Sequence, residues 1–313
     1  MRKINKYFIT GGAGFIGSYL TDRLIGYGEV TVYDNLSSGR QEFIKHHIGK
    51  SNFHFVQADL LDRETLIQSL AGHDMVFHLA CNSDIRKGTV DTSLDLKQGV
   101  LTTHNLLEAM IQNDIKNIVF TSSSAVYGEK IEPMVEHLGP LLPISLYGAS
   151  KLCCEGFISA FCHLFDIKAW IFRIANVVGG RASHGVINDF IIKLKQDPER
   201  LEVLGDGKQR KSFLYINDCI DGILFGVEYS YNQLNLLNLG TDSYTDVAGI
   251  ANMVIEAMGL SEVKIDYSGG SRGWKGDVPS VQLNSKRMRQ LGFQPSYTSD
   301  QAISKAITDI LGK

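Results

Sequence analysis

An apolar run, Lys6-Tyr-Phe-Ile-Thr10, passes without a break into Gly11-Gly-Ala-Gly-Phe-Ile-Gly17, and helical periodicity follows from Ser18 to Tyr27 with Leu20, Leu24 and Ile25 on one side. Glycines 12, 14 and 17 fit the spacing Gly-x-Gly-x-x-Gly, and glycines 11, 14 and 17 fit Gly-x-x-Gly-x-x-Gly. Strand, glycine turn and helix in that order confine the start of the chain to a βαβ unit of the dinucleotide-binding kind. The glycines allow the tight turn, the approach of a pyrophosphate to backbone, and close helix–strand packing. The helix N-terminus presents free N–H groups to phosphate. A second strand, Glu29-Val-Thr-Val-Tyr33, ends at Asp34, whose carboxylate is placed to accept hydrogen bonds from an adenosine ribose. That placement favours NAD over NADP. Arg40, further along the loop, reads as a solvated charge rather than a 2′-phosphate partner.

Apolar strand candidates follow at residues 53–57, 75–79, 117–121, 169–174 and 234–239, alternating with helical patterns at 63–70, 94–111, 149–165 and 219–229. Asp62 suits the N-cap of the first of these helices. Strands that are apolar throughout suit a parallel sheet buried on both faces. The expected class is therefore α/β, a doubly wound parallel (Rossmann) sheet with a smaller C-terminal α/β lobe. Ligands of such sheets bind at the carboxyl ends of the strands, where Gly11, Asp34, Asp59, Ala80 and Ser123 fall. Past Asn176, glycine-rich loops (Gly179-Gly180, Gly205-Asp-Gly207, Gly269-Gly270) separate short helices. The expected division is residues 1–175 for an NAD-binding domain, with a strand near 234–239 returning to its sheet, and residues 176–313 for an interleaved lobe that holds the second ligand.

Tyr147 and Lys151 stand four residues apart in Tyr147-Gly-Ala-Ser-Lys151, at the opening of a helical segment, and so share one face. An ammonium beside a phenol favours the phenolate and lowers the tyrosine pKa. Such a tyrosine takes a proton from an alcohol near neutral pH. Ser123 closes the apolar run that begins at Asn117. An alcohol that loses its proton while a hydride leaves the same carbon is being dehydrogenated, and the glycine motif provides the seat for the acceptor. His78 lies in a strand and reads as a packing residue, and His184 lies in a loop. His46 and His47 form no metal spacing with other ligands, so no metal is expected.

Composition excludes several other classes. A net charge of −3 and a pI of about 6.3 give no electrostatic case for nucleic acid. No apolar run approaches the ~20 residues that span a bilayer. Met1 to Lys6 leads straight into the first strand, so no signal peptide is expected. The five cysteines, at 81, 153, 154, 162 and 219, form no Cys-x-x-Cys pair and read as reduced thiols of a cytoplasm.

Six segments occur in order: Gly11-Gly-Ala-Gly-Phe-Ile-Gly17, Ala58-Asp-Leu60, His78-Leu-Ala80, Thr121-Ser-Ser-Ser-Ala-Val-Tyr127, Tyr147-Gly-Ala-Ser-Lys151 and Arg173-Ile-Ala-Asn176. Together with Gly205-Asp-Gly-Lys-Gln, Phe213-Leu-Tyr-Ile-Asn-Asp218 and Gly276-Asp-Val278 they resemble the extended short-chain dehydrogenase/reductase family, in particular its NAD-dependent nucleotide-sugar epimerases and dehydratases. The resemblance covers nearly the whole chain, and its pattern is most like that of the UDP-glucose 4-epimerases.

The resemblance implies roles for individual residues. Gly11, Gly14, Phe15, Ile16 and Gly17 would surround the cofactor pyrophosphate, Asp34 and Asn35 the adenosine ribose, and Asp59 with Leu60 the adenine. Leu79, Ala80, Ser83, Ser122 and Ile174 would line the cofactor path. Tyr147 would be the acid/base and Lys151 the partner of the nicotinamide ribose. Counting back from Tyr127 makes Ser123 the catalytic hydroxyl, with Ser122 and Ser124 as its neighbours. Asn176 would contact the sugar nucleotide, and a homodimer through the helices near 94–111 and 149–165 is implied.

Family dehydratases carry an Asp-Glu pair just after the catalytic hydroxyl, where this chain has Ser124 and Ala125. Family decarboxylases also usually carry an acid in this turn. The implied activity is 4-epimerisation of a nucleotide sugar, with a UDP-hexose as the expected substrate, through a 4-keto intermediate with NAD kept bound. A 4,6-dehydratase or another 4-keto-forming enzyme is the alternative, and an NAD-binding sensor or scaffold the non-enzyme alternative. The chain also departs from its relatives. A family diphosphate-binding arginine is replaced by Lys211, with Arg210 beside it, and either is a candidate. A second is replaced by Trp274, with Arg272 as the candidate substitute. Gly99 stands where relatives have a cofactor-contacting asparagine, and Ser83 where some carry lysine.

Overall fold

A computed structural model describes residues 5–130 and 133–313 of the chain. Met1 to Ile4, part of the stretch in which no signal peptide is expected, lie outside the described residues. The chain forms two compact units. The first comprises Met1–Val126, Leu146–Arg173 and Leu224–Leu237, and the second Tyr127–Ser145, Ile174–Ile223 and Asn238–Lys313.

The first unit is built on strands β1 (Lys6–Thr10), β2 (Glu29–Tyr33), β3 (Phe53–Val56), β4 (Met75–His78), β5 (Asn117–Ser123) and β6 (Lys168–Ile174). With the strand Leu234–Leu239 they make a seven-stranded sheet, ordered from that strand through β6, β5, β4, β1 and β2 to β3. The pairs β1–β2, β1–β4, β2–β3 and β4–β5 run parallel. Register places Thr10 opposite Tyr33 on one side and His78 on the other. Strand order reverses between β1 and β4, and this reversal opens a crevice at the strand ends.

β4 is buried at every residue and β1 at every residue but Lys6, as in a parallel sheet covered on both faces, while the edge strand β3 leaves His54 exposed. Phe8, Val76, Ile118 and Phe120 pack in one cluster with Leu106, Leu107, Met110 and Ile158, all at most 1% exposed. Helix α1 (Phe15–Leu24) turns its buried hydroxyls back on itself, Thr21 Oγ1 donating to the Gly17 carbonyl at 2.8 Å. Helix α2 (Arg63–Leu70) starts at Asp62, whose side chain accepts from the Thr65 N–H as the sequence predicts for its N-cap.

Residues 94–111 are not one regular helix. A π turn spans Leu96–Leu101, and α3 runs from Thr102 to Gln112. The Gly99 carbonyl accepts the hydroxyls of Thr102 and Thr103 at 3.1 and 2.7 Å. Side-chain hydroxyls that compete for a helical carbonyl loosen the regular ladder. A Cβ at Gly99 would lie 3.0 Å from Ser150 Oγ, so glycine lets this turn approach α4 (Leu146–Phe165), the helix of Tyr147 and Lys151.

The second unit is assembled from small sheets. Asn176–Val178 pairs with Phe213–Tyr215, and Arg200–Val203 with Lys264–Tyr267, both in parallel. Arg210–Lys211 lies between Thr245–Asp246 and Ser280–Val281. Asp246 caps the helix Val247–Ala257, and a Thr298/Gln301 capping box starts the helix Ser299–Leu311. Tyr127 donates to Asn238 Oδ1 at 2.8 Å, and the Asn238 N–H donates to Glu136.

Candidate active site

The glycine turn closes on itself at the end of β1. The Gly11 N–H donates to the Tyr33 carbonyl at 2.9 Å, and Gly14 N–H to the Gly11 carbonyl at 3.0 Å. A Cβ at Gly17 would sit 2.1 Å from the Gly11 carbonyl oxygen, and one at Gly11 would meet the Ala80 backbone at 2.8 Å. Gly11 also has a φ of +70°, which other residues rarely adopt. The turn is therefore a bare-backbone cradle against Leu79 and Ala80. Helix α1 begins at Gly14 with no side-chain cap and no acid in its first turn. The N–H groups that such a helix start leaves unbonded, beside Phe15 and Ile16, are the donors a diphosphate requires.

Asp34 anchors the other side. Its Oδ2 accepts the Ala13 N–H at 3.0 Å and its Oδ1 the Leu36 N–H at 2.8 Å. Burial raises its pKa, and the two backbone hydrogen bonds oppose that rise. Each oxygen keeps acceptor capacity for a ribose diol. Asn35 Nδ2 donates to Asp59 Oδ2 at 2.8 Å, and the Tyr33 hydroxyl donates to the Asp59 carbonyl at 3.0 Å. Leu60 is buried, and its carbonyl accepts from Asn105. These residues fit a dinucleotide: a cradle without Cβ atoms, an uncapped helix start and a held carboxylate.

Thr10 organises the next strand end. Its hydroxyl lies 3.3 Å from both the Leu79 and Ala80 N–H groups and 2.7 Å from His78 Nδ1. His78 Nε2 meets Thr103 Oγ1 at 2.9 Å. Burial, with the Lys151 charge adding to it, drives the His78 pKa down to about 3. His78 is a neutral packing residue, in keeping with its strand position. Ser83 is exposed at the loop that follows.

Helix α4 brings Tyr147 and Lys151 to the end of β5. Lys151 Nζ donates to the Thr121 carbonyl at 2.7 Å and lies 4.7 Å from the Phe120 ring centroid and 5.8 Å from that of Tyr147. Ser123 hydrogen-bonds the Tyr147 side chain, and its own oxygen accepts the Ala125 N–H at 3.2 Å. Ser123, Tyr147 and Lys151 thus meet as one set. The net effect on Tyr147 differs from the sequence expectation. Burial raises its pKa more than Lys151 and Ser123 lower it, and the charges of Cys81 and Asp95 raise it further. Burial opposes the Lys151 charge too, but the neighbouring Cys81, Tyr147 and Cys154 together raise its pKa, so the ammonium persists.

Several residues of this neighbourhood carry no sequence signal of their own. Cys81 hydrogen-bonds Lys151 directly after His78-Leu-Ala80. Asp95 is buried, accepts from Asn82 at 3.0 Å, and has no hydrogen-bond partner for Oδ2 among the described residues. Glu155 lies four residues past Lys151, a spacing that places it on the same helical face, and it binds Ser122 and Arg173.

In the second unit, Lys211 and Arg272 come together on Asp277. Lys211 Nζ meets Asp277 Oδ1 at 2.5 Å, and Arg272 donates to the Asp277 carbonyl at 2.6 Å and pairs with Glu129 at 2.7 Å. Arg210 is exposed on the same strand, and adjacent strand residues face opposite sides. Ile174 is buried and Asn176 exposed. Trp274 packs beside Gly276.

Asp22 joins His46 and His47 in a cluster that sequence spacing missed, with both Nε2 atoms on Asp22 Oδ1 at 2.7 and 2.6 Å. Lys50 donates to His47 Nδ1 at 3.0 Å. Lysine is only a donor, so the His47 proton sits on Nε2 and the cluster is a hydrogen-bonded one.

The doubly wound sheet and the glycine cradle at its strand ends are those of a dinucleotide-binding fold. The model of the NAD dependent epimerase/dehydratase family matches residues 7–240, and the chain belongs to that family. It is 32% identical over 307 residues to a putative UDP-glucose 4-epimerase of Methanocaldococcus jannaschii, covering 96% of each chain. A crystal structure of a UDP-galactose 4-epimerase superposes with a TM-score of 0.88 at 36% identity, over 98% of this chain and 99% of the other. A Bacillus cereus UDP-glucuronic acid 4-epimerase, solved with UDP-glucuronic acid and NAD, superposes with a TM-score of 0.88 at 26% identity over the same shares.

Proposed function

We propose that this chain is an NAD-dependent nucleotide-sugar 4-epimerase that interconverts C4 epimers of a UDP-hexose. The observation that carries this reading is the Ser123–Tyr147–Lys151 set, joined to a turn in which Ser124 and Ala125 replace the acids that elimination needs. Epimerase relatives support it.

In this reading the cofactor is held through Gly11, Gly14, Phe15, Ile16, Gly17, Asp34, Asn35, Asp59, Leu60, Leu79, Ala80, Ser83, the backbone of Ser122, whose hydroxyl is turned to Glu155, and Ile174 at the end of β6. NAD, when bound, supplies the acceptor for the electron pair at C4 and returns it, and its positive ring adds to Lys151 in favouring the phenolate. Tyr147 takes the C4 hydroxyl proton and later gives it back. Lys151 stabilises the phenolate and holds the nicotinamide ribose. Ser123 donates to the Tyr147 phenolate before the proton moves, and to the C4 oxygen once Tyr147 is protonated and that oxygen gains carbonyl character. Alanine at 125 can neither donate nor accept a proton, so the 4-keto sugar is not drawn into loss of water. Asn176, Lys211 and Arg272 hold the sugar nucleotide while the ketone exposes its other face. Lys211 is preferred to Arg210 because Lys211 and Arg272 share Asp277.

We further propose a homodimer through α3 and α4, as the family resemblance implies. Phe157 and Leu164 on α4 are 37% and 72% exposed, and Leu96 and Leu101 before α3 are 53% and 45% exposed. Sequence periodicity would equally allow Phe157 and Leu164 to be core, but only Phe161 of that stripe is buried. No helix of the described residues is long and apolar enough to cross a membrane. Five unpaired thiols support a cytoplasmic location.

The test is to mix purified protein with UDP-sugars and no added NAD, and to separate the products. Interconversion of one 4-epimer pair is expected. A 4-keto-6-deoxy product would favour the dehydratase alternative, and no interconversion of any pair would sink the epimerase reading.

A further inference from the structure

Glu155 has no part in the chemistry above, yet it is buried one helical turn past Lys151 on α4. Ser122 Oγ donates to its Oε1 at 2.5 Å. Arg173 Nε donates to Oε1 and Oε2 at 3.0 and 3.2 Å, and Arg173 Nη2 to Oε2 at 2.7 Å. The Arg173 and Glu155 side chains are 4% and 8% exposed. One carboxylate thus ties the end of β5, the middle of α4 and β6. Ser122 immediately precedes Ser123, whose hydroxyl bonds Tyr147 two turns before Glu155 on the same helix.

A buried ion pair adds little net stability, because desolvation of both charges offsets most of their attraction. What it does supply is position. The Arg173 fork holds the carboxylate at several contacts, and a charge-assisted hydrogen bond to an oxygen held this way is short and directional. Arg173 also neutralises Glu155, so the carboxylate acts on the site by geometry and not by its field.

We propose that Glu155, clamped by Arg173, is a positioning residue that acts through Ser122 to set the Ser123 hydroxyl against the Tyr147 oxygen. The proposal rests on the epimerase reading for its catalytic consequence.

The test compares Ser122→Ala and Ser122→Thr with the wild-type holoenzyme. Three quantities are read: kcat and KM on the UDP-sugar that wild type converts, the pH at which kcat falls on the acid side, and the phenolate absorbance of Tyr147, taken as the difference from Tyr147→Phe. Ser122→Ala keeps the ion pair and removes only the tie. It is expected to lower kcat about 10- to 100-fold, with KM within about 2-fold and bound NAD retained. Its acid limb and phenol titration both move to higher pH, because the Ser123 donation to the phenolate weakens. Ser122→Thr, which keeps the hydroxyl, restores both. A Ser122→Ala enzyme with wild-type kcat and titration overturns the proposal. So does a Ser122→Thr enzyme as impaired as Ser122→Ala, or a Ser122→Ala chain that fails to fold, which would make the tie a purely structural one. The phenol titration requires no turnover. A wild-type protein inactive on every UDP-sugar therefore sinks the epimerase reading and leaves the titration to decide on Glu155.

Discussion

The Lys151 ammonium donates to the Thr121 carbonyl at 2.7 Å, which fixes the cation of α4 at the end of β5, two residues before Ser123. Its charge is the main force that offsets burial at Tyr147. Lys151→Met keeps most of the packing and removes the charge. The expected result is a loss of at least about 100-fold in kcat, with the acid limb of the kcat profile moved to higher pH. A pH series of initial rates checks this.

Tyr147→Phe removes one oxygen from the proton path. Turnover is expected to fall by about 10²- to 10⁴-fold while NAD stays with the purified protein, because the phenol is no part of the glycine cradle. Absorbance of released NAD gives the second quantity. An unchanged function in this variant would point to a sensor or scaffold.

Gly17→Ala sets a methyl group 2.1 Å from the Gly11 carbonyl oxygen and 2.7 Å from Gly12 Cα, where only backbone can yield. A stability loss of about 1–3 kcal/mol and loss of bound NAD are expected. Gly26→Ala, whose nearest neighbour would be at 3.6 Å, is the control and leaves both unchanged. Thermal melting and NAD content measure the contrast.

His78 titrates near 3 in the folded protein because burial penalises its charge, against an ordinary value of 6.5. The unfolded chain therefore takes up this proton first as pH falls. The His78 contribution to stability is fully present above about pH 6.5 and is lost toward pH 3, at up to about 1.4 kcal/mol per pH unit. Urea midpoints from about pH 7 to pH 4 should fall less steeply in His78→Asn than in wild type. Parallel slopes would contradict the assignment.

Lys211→Ala removes one of the two cations gathered on Asp277. A rise of about 10-fold or more in KM for the UDP-sugar is expected, against a change within about 2-fold for Arg210→Ala. The reverse ranking would move the diphosphate to Arg210.

The glycine turn, Asp34 and the Tyr-x-x-x-Lys spacing were legible in the sequence because each is local. Strand, turn and helix are neighbours in the chain, and four residues on a helix are neighbours in space. The ties between distant segments were not. Thr10 meets His78 across 68 residues, and Ser122 meets Glu155 across 33. No periodicity reports such pairs. The π turn at Leu96–Leu101 was hidden because one extra residue in a turn hardly disturbs an apolar pattern. The sequence shows the lysine beside Tyr147 but not the burial that outweighs it. It shows Arg210 and Lys211 side by side but not that Asp277 meets only the latter of the two.

In the proposed epimerisation one chain removes and restores the same hydrogen at C4. A UDP-hexose deuterated at C4 measures this most directly, in ordinary water with no added NAD. The account predicts a C4-epimerised product that retains its deuterium at C4. An epimerised product that has lost the label to solvent would contradict it.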